Sequence, residues 1–244
     1  MDLMIYGLQR SGTNYTEALI LENFKHTSFW NEHYPKSLPT HKHFRLYEQK
    51  HLVPSLYYLN EFYYPTFQSF DAHVSGLTKK KDLKYVVVVK DPYGWYLSYL
   101  RYAHRTTEIN FLKKDANGQF ILEWNLFYGK WLQFQQEAPD RVHIIRYKDL
   151  LKDLGPSLER IEDRFGMTRK AKEWHNPKAV GMSKKFNFKR KKYYTEGSYL
   201  EEFDPKHFRV ISEMIDPVVC EKLQFERLES ETTFHLQNNY QPKT

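Results

Sequence analysis

Two glycines five residues apart frame Gly7-Leu8-Gln9-Arg10-Ser11-Gly12-Thr13-Asn14, the spacing of a loop that cradles phosphate. An apolar stretch, Leu3 to Tyr6, precedes it and a helix-period stretch from Thr13 follows. Such a strand–loop–helix aims backbone N–H groups and a helix dipole at an anion. A loop built for Mg-ATP places lysine directly after the second glycine, then Ser or Thr for the metal. Here Thr13 and Asn14 occupy those places, and the basic residue, Arg10, lies inside the loop. The chemistry indicated is binding of a phosphate-like group with no bridging magnesium. Ser11 and Thr13 are suited to capping the helix while also contacting the anion.

A second cluster is Val86-Val87-Val88-Val89-Lys90-Asp91-Pro92 with Ser98 two helical turns on. A cation at the end of a buried strand stands where ligands bind in open α/β sheets. Lys90 and Ser98 together suit a second phosphate, while Asp91 reads as a helix cap before Pro92. A magnesium-binding acid would directly follow the valines, and Lys90 intervenes. The third cluster is Thr40-His41-Lys42-His43. Histidine titrates near neutrality and suits general-base work. The cluster offers His41 and His43 for that role. His41 and His43 also have metal-ligand spacing, but no Cys or Asp cluster completes a site, so no metal is expected.

The elements that must position these groups alternate between strand and helix, the pattern of an α/β fold on a mostly parallel sheet. Strands are expected at Leu3–Tyr6, Thr27–Trp30, His41–Leu46, Tyr85–Lys90 and Val142–Tyr147, with the valine run buried at the centre. Helices are expected at Thr13–Asn23, Pro92–Arg105, Ile121–Glu137, Gly155–Phe165 and Pro205–Ile215. The stripe Trp124, Phe127, Tyr128, Trp131 has helical spacing and reads as core. An aromatic-rich insert, 47–83, is placed to cover the ligand crevice. A basic loop spans 174–200 and a polar tail 229–244, leaving one domain over 1–228.

Composition bounds the rest. A length of 244 residues supports one large domain with ample core. The net charge of +7 favours an anionic ligand. A lone cysteine, Cys220, excludes an intrachain disulfide and fits a reducing cytoplasm. No apolar run reaches membrane-spanning length and no secretory leader is read, so no membrane partner is expected.

Arg10-Ser11-Gly12-Thr13 resembles the 5′-phosphosulfate loop of the sulfotransferase family. Lys90 to Ser98 resembles that family's 3′-phosphate element, with lysine replacing the commoner arginine. Val142-His143-Ile144-Ile145-Arg146-Tyr147-Lys148-Asp149-Leu150 is similar to its strand-then-RYEDL segment, with Lys148 for glutamate. Gly197-Ser198-Tyr199 with Phe203 resembles its late Gly-x-aromatic element; the basic residue before it falls on Lys192, with Arg190 as rival. Tyr193 and Tyr194 stand where a glycine is expected. Lys42-His43 resembles the element that bears the base, which implies His43 as base, His41 and Glu32 as its rivals and Lys42 as a charge stabiliser, and the resemblance runs from residue 5 to about 225.

The resemblance implies a three-layer P-loop-like α/β fold and a donor, 3′-phosphoadenosine 5′-phosphosulfate (PAPS), whose two phosphate groups match the two separated elements. Arg10, Ser11, Gly12, Thr13 and Asn14 would hold the 5′ end. Lys90, Ser98 and Lys192 or Arg190 would hold the 3′-phosphate, and Tyr147 would lie near the adenosine. The acceptor would be a saccharide hydroxyl or amine. The basic run Lys184 to Lys192 with Phe186, Phe188, Tyr193 and Tyr194 also has the look of a nucleic-acid footprint or a solvated loop. Beside two phosphate motifs it reads as a loop over the donor, and no nucleic acid is expected. The rivals are an ATP-dependent P-loop kinase, a non-catalytic nucleic-acid binder, and a family member that binds donor without turnover.

Overall fold

The computed structural model describes residues 1–33, 35, 37–46, 63–103, 118–180, 184–185 and 189–228. Its centre is a four-stranded, all-parallel sheet in the order β2-β1-β3-β4. The strands are β1 (Asp2–Tyr6), β2 (Ser28–Phe29), β3 (Lys84–Val89) and β4 (Val142–Arg146). Register pairs Tyr6 with Val87 and Val89 with Arg146, so the carboxyl ends of β1, β3 and β4 lie side by side. Tyr85 through Val89 are fully buried, as a β-branched run without polar alternation requires when both faces are covered.

Helices cover the sheet: α1 (Thr13–Asn23), α2 (Phe67–Thr78), α3 (Pro92–Ala103) and α4 (Gln119–Glu137). They are followed by α5 (Tyr147–Lys152), α6 (Leu154–Phe165), α7 (Lys189–Thr195), α8 (Pro205–Met214) and α9 (Pro217–Lys222). A short antiparallel pair, β5 (Ala179–Val180) and β6 (Lys184–Lys185), and a 3-10 helix, Ser198–Glu202, complete the order. Trp124, Phe127, Tyr128 and Trp131 are all fully buried on α4, the core stripe their spacing predicts. Asp204 caps α8 by accepting from the His207 N–H, and Pro205 follows at the first turn.

Three expectations are corrected, the first being the 174–200 loop, which carries β5, β6 and α7. Residues 41–46 form no strand, only a single bridge between Glu32 and His41. Consecutive turns, His41 N–H to Leu38 O at 3.0 Å and Phe44 N–H to His41 O at 2.9 Å, curl the segment beneath the Gly7 loop. Its apolar residues Phe44 and Leu46 are buried there, which produced the strand-like pattern. In the insert, residues 47–62 lie outside the description, but Tyr64, Phe67 and Phe70 are core residues rather than a crevice wall. Phe70 packs against Tyr6, Tyr85, Trp131 and Phe134 at centroid distances of 5.5–5.7 Å. The end of the expected Pro92–Arg105 helix, and all of 229–244, also lie outside the described residues.

Candidate active site

The Gly7–Asn14 loop connects β1 to α1 at the carboxyl edge of the sheet. Its shape is set by left-handed backbone at two points, Arg10 at φ 72° and Gly12 at φ 107°. Gly12 is also pressed by Tyr147, since a Cβ there would stand 2.3 Å from the ring. Gly7 has no more room: a Cβ would lie 2.4 Å from Ser11 Oγ and 2.8 Å from the Val88 carbonyl. Gly7 donates its N–H to Lys42 O at 3.1 Å, and Trp95 Nε1–H donates to Gln9 O at 2.9 Å. No side chain caps α1 and its first turn has no acidic residue, so the positive helix end is uncompensated toward the loop.

The loop residues divide by role. Arg10 is exposed, its guanidinium 5.6 Å from the Tyr102 ring centroid. Ser11 is turned inward: its N–H bonds Leu8 O at 3.0 Å and its hydroxyl is buried beside that of Tyr128. Ser11 therefore shapes the loop floor, and neither it nor Thr13 caps the helix through its side chain. Asn14 is exposed and accepts from Lys42 Nζ at 2.5 Å, with Glu17 3.8 Å from the same ammonium.

Beneath the loop lies a buried charged network missed by sequence reasoning. Arg45, 1% exposed, pairs through Nε with Glu123 of α4. It donates to His43 O and to Gln9 Oε1, each at 2.6 Å. One planar guanidinium thus joins the histidine segment, the loop and α4. The readable signal was an arginine at an otherwise apolar position between Phe44 and Leu46.

The two histidines are distinguished by their partners. His43 Nδ1 lies 2.6 Å from the Gly7 carbonyl, which can only accept, so Nδ1 carries the proton. Neutral His43 then has its lone pair on Nε2. Burial holds its pKa well below the usual histidine value, against the Gly7 bond, with Arg45, His41 and Lys42 adding repulsion. His41 Nδ1 instead accepts the His43 N–H at 3.2 Å, so that nitrogen supports the turn. Glu32 is exposed and accepts from Thr40 Oγ1 at 3.0 Å. Among the described residues no three His, Cys, Asp or Glu side chains gather as a metal site.

Lys90 is the first residue after β3. It is buried, with Nζ 3.4 Å from Ser98 Oγ and 4.9 and 4.1 Å from the Tyr147 and Tyr194 ring centroids. Burial lowers its pKa, while Tyr194 and Asp91 oppose that shift. Trp124 Nε1–H fixes the Lys90 carbonyl at 3.1 Å. Asp91 accepts the Gly94 N–H at 2.7 Å, the cap read from sequence, and also the Tyr199 hydroxyl at 2.8 Å. Tyr147 begins α5, packing edge-on against Tyr15 at 6.0 Å and Tyr194 at 5.7 Å. Lys192 is exposed on α7, and the Arg190 side chain lies outside the description. Tyr194 is an α7 side chain that meets both Lys90 and Ser98.

The model of the sulfotransferase domain matches residues 1–223. The chain belongs to the sulfotransferase family. Among solved structures, mouse sulfotransferase SULT7A1 complexed with PAP is similar at 14% identity, over 98% of this chain and 89% of that one, with a TM-score of 0.49. No curated protein matches the chain. A sulfotransferase requires an acceptor substrate as well as its sulfuryl donor. No helix among the described residues is long and apolar enough to cross a membrane.

Proposed function

We propose that this sulfotransferase, acting as one domain over residues 1–228 in the cytoplasm, moves the sulfuryl group of PAPS to a saccharide hydroxyl or amine by in-line displacement. One observation carries the donor reading. The Tyr147 ring lies against Gly12 of the loop, and its centroid is 4.9 Å from Lys90 Nζ. The two anion elements are therefore about one aromatic ring apart, which fits phosphate groups on opposite sides of a single ribose. The positive end of α1, the loop N–H groups and Arg10 would hold the 5′-phosphosulfate, and Lys90 with Ser98 the 3′-phosphate. Arg10 and Lys42 supply positive charge where negative charge develops on the leaving oxygen.

His43 is the base. Its Nδ1–H is committed to Gly7, its Nε2 carries the lone pair, and its lowered pKa keeps it neutral at neutral pH. Negative charge held at the loop moves that value back up, toward the range where proton transfer is efficient. His41 holds the turn and Glu32 is tied to Thr40, so both support His43 rather than replace it. The saccharide reading rests on Lys42-His43 and Lys90-Asp91-Pro92 and on the aromatic content of the chain.

Labelled PAPS with a panel of oligosaccharide, phenolic and peptide acceptors tests this reading. Label should pass to a saccharide, and His43→Gln should lower turnover about 100-fold or more while leaving affinity for 3′-phosphoadenosine 5′-phosphate (PAP) within about twofold. Full turnover in His43→Gln contradicts the base assignment. Label passing only to phenols or peptides contradicts the acceptor class.

A further inference from the structure

Tyr194 stands in the place that a 3′-phosphate needs. Lys90 is only 4% exposed, and its ammonium is flanked by the Tyr194 and Tyr147 rings at 4.1 and 4.9 Å. Ser98 Oγ lies 3.4 Å from that ammonium, 2.8 Å from Tyr194 Oη and 2.7 Å from the Gly94 carbonyl. The serine has one proton, and the carbonyl can only accept it. The Tyr194 hydroxyl is then the donor to Ser98, and its own lone pairs remain for the cation. Burial pushes the Tyr194 phenol up, but the Lys90 charge and the bond to Lys90 outweigh it and leave the phenol below its usual value. A buried ammonium needs such a partner. A phosphate oxygen bound by Lys90 must come within about 3 Å of Nζ, where it competes with the Tyr194 hydroxyl for the same ammonium.

Tyr147 is wedged between Gly12 and Tyr15 at the end of β4. Tyr194 sits on α7, a helix of seven residues clasped to α3 at two points three residues apart. These are Ser98 to Tyr194, and Arg101 to Tyr193, the latter arginine 45% exposed and also paired with Glu202. Resting on the donor reading above, we propose that Tyr194 is a displaceable internal ligand of the 3′-phosphate subsite. Exchange of its phenol for that phosphate makes Tyr194 a determinant of donor specificity. A nucleotide without a 3′-phosphate leaves the phenol in place, so its affinity is indifferent to this residue. A 3′-phosphorylated nucleotide takes over both partners and releases α7 from Ser98.

Calorimetric titration of PAP and AMP into the wild-type chain, Tyr194→Phe, Arg101→Ala and Lys90→Ala tests the proposal. Tyr194→Phe removes one hydrogen bond from the donor-free state, so PAP should bind about fivefold more tightly. AMP should change by less than about twofold, within the spread of surface substitutions. Arg101→Ala loosens the second clasp without touching the subsite and should shift PAP in the same direction by less. Weaker or unchanged PAP binding in Tyr194→Phe, with the wild-type preference for PAP over AMP intact, overturns the exchange and makes Tyr194 a phosphate ligand or a bystander. If the wild type and Tyr194→Phe alike show no preference for PAP, and Lys90→Ala changes nothing, the donor reading fails and the exchange falls with it.

Discussion

Glu123→Ala is the sharpest perturbation of the network under the loop. It removes the Glu123 carboxylate from the Arg45 guanidinium, 1% exposed, which keeps its bonds to His43 O and Gln9 Oε1. Breaking one side of a buried ion pair costs about 3–5 kcal/mol, a large part of the about 5–15 kcal/mol that holds a typical domain folded. With a urea slope of about 3 kcal/mol/M, the midpoint should fall by about 1–1.7 M. Glu123→Gln keeps an acceptor of the same shape and should fall less far. Arg45→Lys keeps the charge, but one ammonium cannot serve Glu123, Gln9 and His43 in the same plane, so it should lose most of the same stability. The check is urea unfolding followed by tryptophan fluorescence, with PAP affinity measured on each variant in buffer. A loss below about 1 kcal/mol in Glu123→Ala, the level of a surface substitution, refutes the claim that this pair anchors loop, base and α4 together.

Acidification should destabilise the fold through its buried histidines. His143, buried and repelled by Arg164 and Arg160, has its pKa lowered to about 4, and His43 is lowered as well. Between the folded value and about 6.5 the unfolded chain binds the proton and the folded chain does not, so stability is present above about pH 6.5 and lost as pH falls. For His143 that loss is about 3 kcal/mol by pH 4, and His143→Leu should flatten the profile of urea midpoint against pH. Gly12→Ala forces a side chain onto φ 107° and into the Tyr147 ring. It should cost about 1–2 kcal/mol from backbone strain alone and weaken PAP at least tenfold, or the loop is not the donor cradle.

Much of the fold was legible because its signals were local. The Thr13 start of α1, the valine strand and the caps at Asp91 and Asp204 are set by glycine, β-branching and proline chemistry within a few residues. The 41–46 segment misled because burial under the loop puts apolar residues in alternation without any ladder. Helix α2 was hidden in an aromatic run whose only start signal was Thr66, which accepts the Ser69 N–H at 3.3 Å. At the proposed site, Gly12, Lys90, Ser98, His43 and Tyr147 stood out by residue type, spacing or resemblance. Arg45 and Gln9 do not, since their roles arise from chain segments 36 residues apart meeting under the loop. Tyr194 was visible only as an aromatic in the place of an expected glycine, and its meaning depends on α7 folding onto α3.

The central claim is a donor with two phosphate groups, one on the loop and one on Lys90 and Ser98, with no magnesium between protein and phosphate. Titration of PAP, ATP and AMP into the chain with and without magnesium tests it most directly. PAP should bind at least tenfold more tightly than AMP, unaffected by magnesium, and Lys90→Ala should abolish that preference. ATP binding that exceeds PAP and depends on magnesium would contradict the account.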